Sequence, residues 1–258
     1  MIGVAGDPVG GEILRATEAR LSAGGVGLLI SLAAAHAAVD TCARALAGRG
    51  AEGILFIGTG VSPELAQWCS DRGLPAVDAS RQTAAGAMPA AEGSAWRRGL
   101  DLAERYLRDL GHRRIGVLTR SGEADAERPA PVHRDSAIIE QGIDQANDPD
   151  SVCAAVARLL KHEVTAIVAA SDTAAAAALR ECRGRALHVP QQVSVVGWGD
   201  TGLARCLSPT LTSMRVPASE VGQAAADCLL AALAGREYTW PELPVKLVIR
   251  ESSAPART

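Results

Sequence analysis

Short apolar runs alternate with longer segments of helical periodicity along most of the chain, and this alternation restricts the possible folds strongly. Strands that alternate with helices pair in parallel, through right-handed crossovers that place the helices on the faces of the sheet. The pattern therefore predicts an α/β fold of the doubly wound type. The predicted strands are Ile2–Ala5, Gly27–Ser31, Gly53–Ile57, Ala76–Ala79, Ile115–Thr119, Ala137–Glu140, Ala166–Ala170, Val193–Val196 and Val245–Arg250. The predicted helices are Gly11–Ala23, Ala37–Arg49, Pro63–Arg72, Trp96–Leu110, Ser151–Leu160, Thr173–Cys182 and Val216–Ala234.

The helix predicted over Trp96–Leu110 shows the periodicity clearly and carries a stop signal. Gly111 follows its last apolar residue and is a candidate C-terminal cap. His112, Arg113 and Arg114 come next, and cations are favoured at this end of a helix by the macrodipole. We therefore expect a structural role for all three side chains and no catalytic role for His112.

The composition is that of a globular protein without a nucleic-acid footprint. The 258 residues, 48% hydrophobic and 21% charged, are enough for one large domain or two modest ones. A net charge of −3 gives no basic surface typical of nucleic-acid binding. No apolar run approaches the roughly 20 residues of a membrane span, and no signal peptide follows Met1. We expect a cytoplasmic protein without membrane association.

Neither a metal site nor a cofactor site is predicted. The six cysteines lack CxxC or Cys–His spacing and mostly lie in apolar segments of predicted helices. Cysteines in such positions are typically buried free thiols, which indicates a reducing compartment. Gly58-Thr59-Gly60 follows a strand, but Pro63 stands where a dinucleotide-binding loop has its third glycine. That segment is interpreted as a tight turn.

The stretch from Val189 to Pro217 is the most informative motif. Val193–Val196 is predicted to be a short buried strand, and Gly197–Gly202 behind it, predicted to be a loop, places three glycines around Asp200. Glycine permits close backbone approach there, and an aspartate at the carboxyl end of a strand offers acceptors to a ligand.

The whole stretch resembles the signature of the LacI/GalR family of transcriptional regulators. Three further segments support the resemblance: Leu107–Thr119 (LRDLGHRRIGVLT), Thr165–Cys182 (TAIVAASDTAAAAALREC) and Leu243–Pro255 (LPVKLVIRESSAP). The resemblance implies a two-lobed, periplasmic-binding-protein-like type I fold. Each lobe would be a parallel sheet flanked by helices, with three crossovers at a hinge. One lobe would comprise residues 1–94 plus 216–241 and the other residues 95–214 plus 242–258.

The same resemblance implies a small-molecule effector bound between the lobes at the carboxyl ends of the strands. The candidate ligand-binding residues are Asp7, Trp96, Ser171, Asp172, Trp198 and Asp200. Ser171 or Asp172 would in addition cap the helix that follows.

The sequence departs from the family pattern in ways that bear on the ligand. Gly199 stands where the family has a carboxylate, and the loop Arg120–Ser136 replaces a helix that normally supplies an effector-binding arginine. Arg128 or Arg134 could take over that role only through the geometry of the loop. These losses weaken the case for a typical sugar or purine effector.

No DNA-binding helix-turn-helix precedes the first strand, so operator DNA would be bound only through a head that this chain lacks. We expect the effector-binding and dimerisation domain of a repressor-like regulator, a homodimer with no chemistry of its own. Its candidate dimer faces are Gly11–Ala23 with the strand that follows, and Thr173–Cys182. The alternative is a stand-alone binder or a recruited enzyme, with Asp172, Asp200 and His133 as acid–base candidates.

Overall fold

The computed structural model describes residues 2–4, 8–33, 38–57, 61–79, 83–84, 95–120, 137–143 and 149–257. Its elements are β1 (Ile2–Val4), α1 (Pro8–Ala23), β2 (Ser31–Ala33), α2 (Val39–Gly48), β3 (Ile54–Ile57), α3 (Pro63–Ser70), β4 (Ala76–Asp78), β5 (Thr83–Ala84), α4 (Ala95–Asp109), β6 (Arg114–Arg120), β7 (Ala137–Ile143), α5 (Pro149–Lys161), β8 (Ala166–Ala169), α6 (Asp172–Gly184), β9 (Ser194–Gly199), α7 (Gly202–Cys206), β10 (Thr212–Arg215), α8 (Ala218–Leu233) and β11 (Lys246–Val248). The chain forms two compact units, Met1–Arg97 with Pro217–Pro244 and Arg98–Val216 with Val245–Thr258.

The first unit is built on a five-stranded sheet in the order β2-β1-β3-β4-β5. All its neighbouring strands are parallel except β5, which runs antiparallel to β4. Strand β3 is buried along its whole length, as a central strand covered on both faces has to be. One apolar cluster centres on α1, α8 and the sheet, and a second on α2, α3 and β3.

Helices α1 and α8 of the first unit pack closely because Gly222 has no side chain at their contact. A Cβ atom there would overlap the carbonyl oxygen of Ile13. The Thr17 hydroxyl donates to the Gly222 carbonyl at 3.1 Å, and Arg20 pairs with Asp227 at 2.7 Å on the surface.

The second unit contains a six-stranded sheet in the order β11-β10-β9-β8-β6-β7. Strands β7, β6, β8, β9 and β10 are parallel, and β11 pairs antiparallel with β10. Helices α5 and α6 pack their small and branched side chains into one cluster with β8 and β9. The predicted α/β class with flanking helices is confirmed in both units.

Local sequence signals account for the ends of several helices. The Ser62 and Ser171 hydroxyls accept the amides of Leu65 and Ala174, at 3.1 and 3.0 Å, and so cap α3 and α6. Gly111 has a φ of 89° directly behind α4, a left-handed conformation that glycine adopts without strain. The predicted cap at Gly111 is therefore confirmed, as is the capping role of Ser171.

One strand assigned from the sequence is wrong, and three elements were not predicted. The strand predicted over Gly27–Ser31 is wrong, because pairing starts only at Ser31, and Leu29 and Ile30 are 49% and 52% exposed. Strand β10, helix α7 and the short β5 were not predicted. Their residues lack a long apolar run. In β10 the buried side chains include the polar Thr212 and Ser213, which are hydrogen-bonded.

The structural role predicted for His112 is confirmed by its hydrogen bonds to Thr165 and Ala254, but the side chain is not an exposed cation at a helix end. The imidazole is 2% exposed, and burial lowers its pKa below the ordinary value of 6.5. None of the helices described here is long and apolar enough to cross a membrane.

Candidate functional site

Polar side chains collect where the parallel strands of the second unit end. Strands β6, β8, β9 and β10 all run in the same direction, so their carboxyl ends lie at one edge of the sheet, which we call the carboxyl edge. In open α/β sheets this edge is where ligands bind. The side chains there are Thr119, Ser171, Asp172, Trp198, Asp200, Ser213 and Arg215.

Asp172, in the first turn of α6, is buried and closely surrounded by hydrogen-bond donors. Its Oδ2 accepts the backbone N–H of Thr201 at 2.6 Å and the Thr201 hydroxyl at 2.8 Å. Its Oδ1 accepts the Ser213 hydroxyl at 2.6 Å. The carboxylate thus ties the start of α6 to the loop after β9 and to strand β10.

Two features of the surroundings explain how Asp172 is accommodated. Burial raises the pKa of Asp172, the nearby charge of Asp200 adds to this, and the bonds from Ser213 and Thr201 oppose it. Gly197 of β9 lies directly against the carboxylate, since a Cβ atom there would come within 2.5 Å of Oδ1. Glycine at this position is therefore required by close approach.

Asp200 forms a second buried carboxylate site, held by two arginines. It has a φ of 49°, and its backbone N–H donates to the Ser213 hydroxyl at 3.1 Å. Its Oδ2 accepts from Arg215, with Nε at 2.7 Å and Nη2 at 2.5 Å. Its Oδ1 pairs with Nη2 of Arg250 at 2.5 Å. None of the Asp200 side chain is exposed, so the two guanidinium groups replace its water.

Arg250 comes from the segment behind β11, and its guanidinium is itself held in place. Nη1 donates to the Leu211 carbonyl at 2.6 Å, and the backbone N–H of Arg250 donates to the Thr212 hydroxyl at 2.9 Å. Only 15% of the Arg250 side chain is exposed. Arg215, in contrast, has 52% of its side chain in solvent.

Three other side chains complete the carboxyl edge. Ser171 is 8% exposed and its hydroxyl is engaged in capping α6. Trp198 is half-buried and packs on Gly99 of α4, where a Cβ atom would overlap the indole ring. The Thr119 hydroxyl, at the end of β6, is buried and has no hydrogen-bond partner in the described part of the chain.

The structure thus brings together four of the six candidate ligand-binding residues: Ser171, Asp172, Trp198 and Asp200. Trp96 lies in the first turn of α4, on the part of that helix that belongs to the first unit. Asp7 lies outside the described residues, as do Arg128, His133 and Arg134. Among the described side chains no cluster of three potential metal ligands occurs.

Sequence reasoning missed the partners of the two carboxylates, namely Thr201, Ser213, Arg215 and Arg250. All four lie inside the segments that carry the family resemblance. They could have been predicted as partners from charge alone. An aspartate in apolar surroundings requires hydrogen-bond donors or a cation, and these segments contain both.

A fold of two α/β units with polar side chains at a carboxyl edge is typical of ligand-binding receptors. Residues 105–253 match the family described as periplasmic binding protein-like domain, and the chain belongs to this family. More narrowly, it matches the effector-binding region of LacI-type transcriptional regulators, as the following relatives show.

The HTH-type transcriptional regulator reg1 of Streptomyces lividans is 33% identical over 175 residues, which are 62% of this chain and 51% of that protein. The HTH-type transcriptional repressor PurR of Klebsiella pneumoniae is 30% identical over 165 residues, 59% of this chain and 48% of its own length. The lactose operon repressor of Rhizobium radiobacter is 36% identical over 89 residues, 34% of this chain and 79% of that sequence. The chain spans about half the length of the first two. These relatives are named as regulators and repressors, not as enzymes.

Solved structures have the same fold over nearly the whole chain. A LacI transcriptional regulator from a Rhodococcus species superposes with a TM-score of 0.78 at 24% identity, covering 99% of this chain and 98% of that one. A LacI family regulator from Enterococcus faecium, solved with bound ribose, gives a TM-score of 0.73 at 22% identity, covering 99% of each chain.

Proposed function

We propose that this chain senses a small polar metabolite, sugar-like or of another kind, at the carboxyl edge of its second unit. In the full-length regulator, binding would alter the affinity for operator DNA held by a helix-turn-helix domain. The six free cysteines fit the reducing cytoplasm in which such a regulator meets DNA.

The observation that carries the proposal is the convergence of Thr119, Ser171, Asp172, Asp200 and Arg215 on one edge of a parallel sheet. Their charges and donors come from four different strands or the turns behind them, which is how α/β folds assemble ligand sites. The LacI family regulator from Enterococcus faecium, which has the same fold and is 22% identical to this chain, was solved with bound ribose. This supports a small polar ligand.

The two carboxylates would act mainly by positioning their neighbours. Asp172 holds Thr201 and Ser213, and Asp200 holds Arg215, so removal of either carboxylate releases groups that face the ligand. We expect Asp172→Ala and Asp200→Ala each to weaken effector binding about tenfold or more, a loss of about 1.4 kcal/mol.

The experiment starts with a thermal-shift screen of metabolites on the wild-type chain, followed by calorimetry with the ligand that it identifies. Asp172→Asn and Asp200→Asn accompany the alanine variants, because they keep the volume of each side chain and help the variants to fold. Asp150→Ala serves as the matched control, since Asp150 pairs with Arg180 on the surface of α5 and its side chain is 92% exposed. Wild-type affinity in both alanine variants would remove these carboxylates from the site.

We further propose that the regulator is a homodimer and that β2 contributes to its interface. Of the described strands, β2 is at the edge of its sheet, and Leu29, Ile30 and Leu32 nearby are 49%, 52% and 58% exposed. An exposed apolar edge strand can pair with a strand of another chain, which would also bury its apolar side chains. The sequence predicted two candidate faces, Gly11–Ala23 with the strand after it and Thr173–Cys182, and β2 is the strand that the structure places after α1.

A further inference from the structure

Among the described residues the carboxyl edge has two acidic side chains, Asp172 and Asp200, and both are buried. Asp172 is 2% exposed and accepts three hydrogen bonds, and the Asp200 side chain is fully buried between two guanidinium groups. Gly199 adds no side chain beside them. Carboxylate acceptors for the hydroxyl groups of a neutral sugar are therefore missing from the described part of this edge.

The hydrogen-bond donors at this edge, unlike the two carboxylates, include a side chain that reaches solvent, that of Arg215. Arg215 contacts Asp200 only through Nε and Nη2, both directed at the same oxygen. A guanidinium group has five N–H donors in a planar fork, and the Nη1 side of the fork is directed away from that contact. The Arg215 side chain as a whole is 52% exposed, and no bond of Nη1 to a described residue accompanies the contact with Asp200.

The exposed member of this charge cluster is a cation. Asp172 and Asp200 contribute one negative charge each, and Arg215 and Arg250 contribute one positive charge each, so the four groups balance formally. Arg250 is the buried partner, with 15% of its side chain exposed. The charge exposed to solvent is therefore that of Arg215, where two N–H groups side by side match the two oxygens of a carboxylate or phosphate.

We propose that the effector carries an oxyanion, a carboxylate or a phosphate group, and that the free side of the Arg215 guanidinium binds it. Asp200 and Arg250 would orient Arg215 for this contact. The inference rests on the proposed function, since it names the chemical class of the ligand sensed at the same edge.

The test compares neutral and anionic members of matched pairs by calorimetry on the whole chain. Glucose is paired with gluconate and with glucose 6-phosphate, and ribose with ribose 5-phosphate. We expect the anionic member of at least one pair to bind at least tenfold more tightly than its neutral partner. The gluconate and phosphate arms tell a carboxylate from a phosphate.

Variants then assign the effect to Arg215. Arg215→Lys keeps a cation beside Asp200 but removes the planar fork, so we expect thermal stability to change little and affinity for the anion to fall at least tenfold. Arg215→Gln should lose more. Arg105→Gln is the matched control, because Arg105 is an exposed arginine on α4 and its removal should leave binding unchanged.

The outcomes separate the two proposals. Equal binding of neutral and anionic members, with an affinity that Arg215→Lys does not alter, would overturn this inference and leave the effector-sensing function intact. Binding of no member of any pair, together with no stabilising metabolite in the thermal-shift screen, would contradict the function and the inference together.

Discussion

His112 shows at the scale of a single residue how tertiary contacts override position in the sequence. Its Nε2 lies 3.0 Å from the Ala254 carbonyl, which can only accept, so Nε2 carries the proton of the neutral ring. Nδ1 is then free to accept the Thr165 hydroxyl at 2.9 Å. Both ring nitrogens are satisfied without a charge, and burial of the ring disfavours one.

This arrangement predicts a pH dependence of stability. Since the pKa of His112 is lowered on folding, the unfolded chain binds the proton more readily. The contribution of His112 is therefore fully present above its ordinary pKa of 6.5 and is lost as the pH falls through the lower pKa of the folded state. We expect the free energy of unfolding, measured by urea denaturation with circular dichroism, to fall below pH 6.5.

The same titration of His112→Gln should give a flatter profile over that range, because glutamine does not titrate. His162→Gln is the control, and we expect it to keep the slope of the wild-type chain. Identical slopes in the wild-type chain and His112→Gln would contradict the assignment.

At the scale of elements, the segment behind β11 is hydrogen-bonded to the sheet of the second unit. Ser252 is fully buried, and its backbone N–H and C=O pair with Thr210 and Val195 at 3.0 and 2.7 Å. Its hydroxyl donates to the Val195 carbonyl at 2.6 Å and accepts the Thr212 N–H at 2.8 Å. These bonds fix the segment that supplies Arg250 to Asp200.

Ser252→Ala should destabilise the chain by about 2–4 kcal/mol, because it leaves a buried N–H without its acceptor and a buried carbonyl without one donor. The measurement is urea unfolding at constant pH. Ser70→Ala, at an exposed position on α3, is the control and should change stability by no more than about 0.5 kcal/mol. A cost for Ser252→Ala as small as that of the control would contradict the anchoring role.

Elements with a clear apolar period were predictable and those built on polar contacts were not. Helices α4 and α8 have ends within two residues of the prediction, since their stripes repeat with the period of a helix. Strand β10 was missed because Thr212 and Ser213 are polar and lie buried only through distant partners. The apolar run before β2 predicted a strand too early, because Leu29 and Ile30 are about half exposed and the strand starts only at Ser31.

At the scale of the whole molecule, the proposed homodimer can be tested through the exposed side chains around β2. We expect a dimer by light scattering at micromolar concentration. Leu32→Asp should shift the population toward monomer, because it places a charge on the apolar edge strand.

Ile249→Asp is the matched control for that measurement. Ile249 is 60% exposed and belongs to the second unit, so the same charge is added to an exposed apolar side chain far from β2 in the sequence. A monomer in the wild-type chain would overturn the dimer proposal. A dimer that Leu32→Asp does not weaken would move the interface away from β2.

The sequence by itself determined the α/β class, the regulator family and the edge of the sheet at which the candidate residues lie. These follow from periodicity and motifs, which are properties of neighbouring residues. Only the tertiary structure decided the state of the two carboxylates. The partners that bury them come from far along the chain, Ser213 lying 41 residues from Asp172 and Arg250 lying 50 residues from Asp200. A motif can predict that a carboxylate lies at this edge. Whether that carboxylate faces a ligand or an arginine depends on which distant segments fold against it.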